Sequence, residues 1–141
     1  MKVFTREYAS IDYISELSCL RLTFQGFMTY EELIEISEFE YQLISSHKIT
    51  GMLINLQLIS IYPEGGSAYI KNVWFPTISS MGIRYVGFVV PEDLFSQLSM
   101  RDAHDGEEQF NVDIEYFSDE DSAKLWGNQF AASVNPSSEE A

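Results

Sequence analysis

Any chemistry in this sequence has to come from a short roster of side chains. The stretch "RDAHDGEEQFN" at 101–111 gathers Asp102, His104, Asp105, Glu107 and Glu108. Carboxylates at that density suit a hard divalent cation, but the spacing of a calcium loop is absent. The expectation is an exposed acidic loop and no metal site. His47 and His104 are the only histidines, and Cys19 is the only cysteine. A nucleophile needs a base within hydrogen-bond reach and a third group to hold that base. His47 follows a helical pattern and Cys19 begins a strand pattern, and no spacing joins them. Surface histidines and a buried thiol are expected instead. Gly65-Gly66 precedes a helical stretch whose N-terminus could face an anion, but Glu64 opposes one. No Gly-x-Ser-x-Gly, Gly-rich phosphate loop or dinucleotide fingerprint occurs. The sequence thus predicts no enzyme, no catalytic residue and no cofactor.

Two apolar sets remain as binding candidates. Trp74, Tyr85, Phe88 and Trp126 could line a pocket for an apolar, lipid-like small molecule, although aromatics at helical and strand spacing ordinarily fill cores. Ile36, Phe39 and Leu43 form a second apolar stripe on a helix that already has one, and Phe75 lies off the main stripe of its own helix. These four are expected at an interface with a protein partner or a second copy of the chain.

The elements that must position these residues follow from periodicity. "KVFTREY", "SIDYIS" and "CLRLTFQG" alternate and sit close together, which predicts an antiparallel meander over residues 2–25 closed by Gly26. Thr29 and Glu32 make a capping box. Beyond it, Tyr30, Leu33, Ile34, Ser37, Tyr41 and Ile44 share a face expected to pack on the sheet, with Glu31, Glu35, Glu38 and Gln42 toward solvent. "ITGMLINLQLIS" and "IRYVGFVV" read as central strands buried on both faces, as parallel strands are. Between them, Ile70, Val73, Trp74, Thr77, Ile78 and Met81 repeat at helical spacing. Pro76 is expected to push Phe75 off helical angles and either to kink that helix or to split it with Pro76 in the first turn of the second piece, and Gly82 is expected to end it. "PEDLFSQL" predicts a short helix, "VDIEYF" a last strand, and "SDEDSAKLWGNQF" a final helix.

With 45% apolar and 14% aromatic residues, the chain can bury a core. Its 22 acids against 8 scattered bases give a net charge of −14. That field disfavours nucleic acid and anionic membrane. The apolar runs are too short to span a bilayer, and the N-terminal residues lack a signal peptide's apolar centre, so a cytoplasmic protein is expected. Residues 1–130 are expected to form one domain and 131–141 a frayed polar tail.

The element order, together with Gly26-Phe27-Met28-Thr29-Tyr30-Glu31-Glu32, the segment Trp74 to Gly82, Val89-Val90-Pro91-Glu92-Asp93 and the segment Phe117 to Trp126, resembles the SpoIIAA-like (STAS-like) superfamily over residues 2 to 130. More specifically it looks like the stand-alone, uncharacterised bacterial members. The resemblance implies an α/β fold: a mixed sheet of about six strands, with an antiparallel N-terminal meander and about four helices. The function expected is a non-catalytic binding or regulatory module that acts through protein–protein contacts and self-associates, an expectation motivated by the second stripe of Ile36, Phe39 and Leu43. The alternative is an apolar-ligand binding protein, as some relatives of this superfamily are thought to be. Anti-sigma factor antagonists of this type carry a phosphorylatable serine in an Asp-Ser-Ser-Gly-like turn after the first central strand. Here Ser60 and Ser67 lie near that point, outside any such motif.

Overall fold

The computed structural model describes residues 2–61, 63–93 and 112–134. Lys2–Arg6 (β1), Ala9–Ile14 (β2) and Cys19–Phe27 (β3) form the antiparallel meander, with a 3-10 turn at Ser15–Leu17. Tyr30–His47 (α1) then carries the chain back so that Gly51–Ile61 (β4) lies parallel to β3. The capping box is formed: the Glu32 N–H donates to Thr29 Oγ1 at 3.1 Å, and the Thr29 N–H donates to Glu32 Oε1 at 2.9 Å. Another helical crossover leads to Tyr85–Val89 (β5), parallel to β4, and Asp113–Phe117 (β6) lies parallel to β5. The sheet order is β1-β2-β3-β4-β5-β6.

The crossover between β4 and β5 is one continuous helical body in three parts. Gly66–Tyr69 (α2) runs into a π turn at Ile70–Trp74 and then into Phe75–Ser80 (α3). Pro76 stands in the first turn of the last part, as one of the two expected outcomes has it, but it does not displace its neighbour: Phe75 keeps helical angles, φ −60° and ψ −48°. The wide turn explains the difference from expectation. Proline cannot serve the carbonyl four residues back and its ring crowds that carbonyl. A π turn just ahead, in which the Phe75 N–H reaches Ile70 O, takes up the misfit without a break. Gly82 ends the body with φ +102°, the left-handed position expected of it.

Register assigns the two faces of the sheet. Leu20, Met52, Val86 and Ile114 align across β3–β6, as do Leu22, Ile54, Phe88 and Tyr116. These rows, with Phe4 and Ile11, belong to the larger core shared with Leu33, Ile36, Ile44, Trp74 and Ile78 of α1 and the composite helix. The alternate residues Cys19, Leu53 and Val89 form a smaller core on the opposite face, covered by Ala123 and Trp126 of Glu120–Val134 (α4). The expected central strands are therefore side by side, with helices on both faces.

Several expectations need correction. The buried face of α1 is Leu33, Ile36, Ser37, Glu40, Leu43 and Ile44, while Tyr30 is exposed. The buried stripe is rotated from the one expected because α1 packs against β1 and β2 as well as the central strands. The final helix runs to Val134, four residues into the expected polar tail. Among the described residues there are three helical bodies besides the helical start at Glu92 and Asp93; the rest of the short helix expected over 91–98 lies outside the described residues.

Candidate functional site

The contact between α1 and the composite helix is unusually polar for a core. Glu40 is only 2% exposed, and its Oε1 accepts the Trp74 indole N–H at 2.9 Å. Burial pushes the Glu40 carboxyl up to about 8, although the Trp74 hydrogen bond pulls it down. At the next residue of α1, the Tyr41 hydroxyl lies 3.0 Å from that of Tyr69. Tyr41 is pushed upward by burial and then by Tyr69. Ser37 Oγ is fully buried with no hydrogen-bond partner among the described residues. At neutral pH the favoured state of Glu40 is the uncharged acid, which can still accept from Trp74. A general acid must reach a substrate proton. Glu40 lies inside a helix contact, so its geometry suits fastening two helices rather than proton transfer. Sequence pattern alone did not single it out. The signal was present, since Glu40 falls at helical spacing between Ser37 and Leu43–Ile44.

A second polar group sits on the other face of the sheet, where α4 begins. The Arg21 guanidinium hydrogen-bonds the Glu120 carboxylate and lies 3.8 Å from Asp12, and Asn55 Nδ2 donates to Glu120 Oε2 at 3.3 Å. Burial alone would raise Glu120, but the hydrogen bond and charge of Arg21 outweigh it and hold the carboxyl below the usual range. This network ties α4 to β2–β4.

The sheet separates the sequence-predicted site residues. Trp74 and Phe88 lie on the larger-core side, joined through Phe75 with ring centroids 4.8 and 6.4 Å apart. Tyr85 and Trp126 lie on the opposite side, 5.5 Å apart. The four cannot line one pocket, because successive residues of β5 point to opposite faces. The interface set is also redistributed. Ile36 (0% exposed) and Leu43 (8%) are inside the larger core. Phe39 is half-buried against Phe4 at 4.8 Å, and Phe75 is half-buried against Trp74. The neighbour that the second stripe requires is the chain's own β1–β2.

Cys19 is buried in the smaller core, and burial pushes its thiol up to about 12. His47 is exposed at the end of α1, 4.9 Å from the Tyr13 ring. Tyr13 pairs with Leu20 on the larger-core face, so the sheet lies between this imidazole and the thiol. His104 and the acidic stretch 101–111 lie outside the described residues. Among the described residues, no group of three metal-ligating side chains occurs, and no helix is long and apolar enough to cross a membrane. Ser60 falls within β4 rather than in a turn, and Ser67 is exposed in the first turn of α2.

What the helices leave uncovered among the described residues is a two-stranded ribbon. β5 pairs with β4 only as far as Asn55↔Val89, whereas β3 continues alongside β4 to Phe27↔Ile61. Phe27 is 61% exposed and Leu58 62% exposed on this projection. The register shifts between Thr23 and Gln25 and again between Gly26 and Phe27, with the extra residues in β4. Such bulges bend a strand and end its pairing.

No family model matches this chain, and no curated protein does either. Among solved structures, it is similar to an uncharacterized protein of the DUF3478 family from Shewanella loihica PV-4, described as having a SpoIIAA-like fold. The TM-score is 0.59 at 13% identity, and the match covers 88% of this chain and 98% of that one. At that coverage of both chains the likeness is one of fold: this chain, with its six-stranded mixed sheet, has the SpoIIAA-like α/β fold.

Proposed function

We propose that the protein is a non-catalytic interaction module that meets a protein partner through the β3–β4 ribbon. The observation that carries this reading is the pair Phe27 and Leu58, large apolar side chains more than half exposed on a part of the sheet that no helix covers among the described residues. Covering what remains exposed of each would recover about 1–2 kcal/mol at a protein interface. Self-association loses the stripe that first suggested it, because Ile36 and Leu43 serve the core. A second copy remains one partner to test among others. The aromatic residues offered for a lipid-like ligand lie on opposite faces, so no shared lining supports that alternative.

A photo-cross-linking amino acid placed at Leu58 or Phe27, in cells that make the protein natively, is expected to capture discrete adducts. The same group at Glu38, on the exposed face of α1, is expected to capture none of them. Indistinguishable labelling from the three positions would remove the ribbon as the contact surface. Sedimentation of the purified chain identifies a second copy: a mass that rises with concentration for wild type, but not for Leu58→Asp, makes the partner the chain itself.

A further inference from the structure

The uncovered ribbon has an edge as well as side chains. β4 spans Gly51–Ile61, and β3 pairs with it along one side almost to its end. On the other side β5 stops at Val89, opposite Asn55, and among the described residues no strand pairs with 56–61 there. Backbone donors and acceptors on such an edge need partners, and a bare edge is a template for another strand. One group is already satisfied locally: the Gln57 N–H donates to Asn55 Oδ1 at 2.9 Å. The Gln57 side chain crosses to Ser118 O at 2.8 Å, which places this edge beside the junction of β6 and α4.

Among the described residues the charges around this end are mostly acidic. Asp119 and Asp121 open α4, Glu92 and Asp93 follow β5, and Glu64 follows β4; all five are exposed. The cations nearby are engaged: Arg21 holds Glu120, and Lys124 also acts on Glu120. An acidic strand docking here would be repelled, as would a second copy of a chain with net charge −14. A basic extended strand meets both requirements, the backbone ladder and the field.

Resting on the interaction-module reading above, we infer that the partner contributes an extended segment of alternating apolar and Lys/Arg residues, which adds as a strand to the 56–61 edge of β4. The backbone ladder supplies affinity, Leu58 meets an apolar side chain, and the acidic rim selects for positive charge.

The probe is an acetylated ten-residue peptide of alternating valine and lysine, followed by fluorescence anisotropy against the full chain. Three controls accompany it: glutamate in place of lysine, N-methylation of every second amide, and a scrambled order. The lysine peptide is expected to bind at least about tenfold more tightly than the glutamate and N-methylated forms. Its affinity should weaken several-fold on raising the salt from about 0.05 to 0.3 M, because exposed charges become screened. Amide exchange at 56–61 should slow about tenfold in the complex. In the chain, paired Asp119→Asn and Asp121→Asn should weaken binding, with thermal melting confirming that the variant is folded. Equal binding of the N-methylated peptide would overturn strand addition while leaving the ribbon as an apolar contact. Failure of all peptides while the Leu58 cross-links persist would overturn this inference alone. Loss of those cross-links would overturn the underlying reading.

Discussion

Burying the Glu40 carboxyl against Trp74 makes stability depend on pH. In the folded chain the group keeps its proton up to about 8, whereas in the unfolded chain it loses it near the ordinary 4.5. Between those values the folded state holds the extra proton, so stability falls as pH rises. The contribution is fully present below the unfolded value and is lost by the folded one. Glu40→Gln keeps an acceptor for the Trp74 indole but cannot ionise. It should lie close to wild type near pH 5 and exceed it by roughly 3–5 kcal/mol near pH 8.5, because each tenfold change in proton affinity is worth about 1.4 kcal/mol. Urea denaturation of both proteins across this range measures the difference directly. Parallel curves for the two proteins would show that Glu40 does not titrate with folding.

Between elements, the tightest fit is where β4 meets β5 under α4. A Cβ on Gly51 would stand 1.9 Å from Cζ of Tyr85, whose ring packs against Trp126 and whose hydroxyl donates to Leu17 O at 3.1 Å. Strand β4 can lie beside β5 with that tyrosine inward only because residue 51 has no side chain. Gly51→Ala should therefore cost about 3 kcal/mol or more, since a ring held on two sides cannot move aside cheaply. Combined with Tyr85→Leu, the total loss should fall short of the sum of the single losses by about 2 kcal/mol. Chemical denaturation of the four proteins in the cycle tests this, and simple additivity would mean that the ring is free to rotate away. The same scale explains the π turn before Pro76: it lets one helix carry both Trp74 to Glu40 and Ile78 to the core.

Across the whole molecule, self-repulsion from a net charge of −14 opposes compaction. Ion pairs between described residues are few and partly exposed, such as Arg6 with Glu35 at 3.7 Å, and exposed pairs contribute little. Screening should therefore relieve more repulsion than attraction. The midpoint of thermal unfolding is expected to rise by about 4 °C, or roughly 1 kcal/mol, between about 0.02 and 0.5 M sodium chloride. A falling midpoint would mean that networks such as Asp12–Arg21–Glu120 dominate the electrostatics. The same acidity underlies the charge preference inferred for the ribbon, so low and high salt should move stability and binding in opposite directions.

Local patterns in the sequence were enough to determine the order of elements, the Thr29 cap, the Gly82 stop, the acidic outer face of α1 and two adjacent central strands. Each depends on chemistry between near neighbours in the chain: period, capping and backbone conformation. Tertiary structure alone decided which stripe of α1 turned inward, that Glu40 would be enclosed with Trp74, and that Trp74 and Trp126 would sit on opposite sides of the sheet. Periodicity says which residues share a stripe, but the crossover of each helix selects the face that it covers. The exposed ribbon had the same origin. A strand's length is written locally, while how far its neighbour accompanies it depends on register across the sheet.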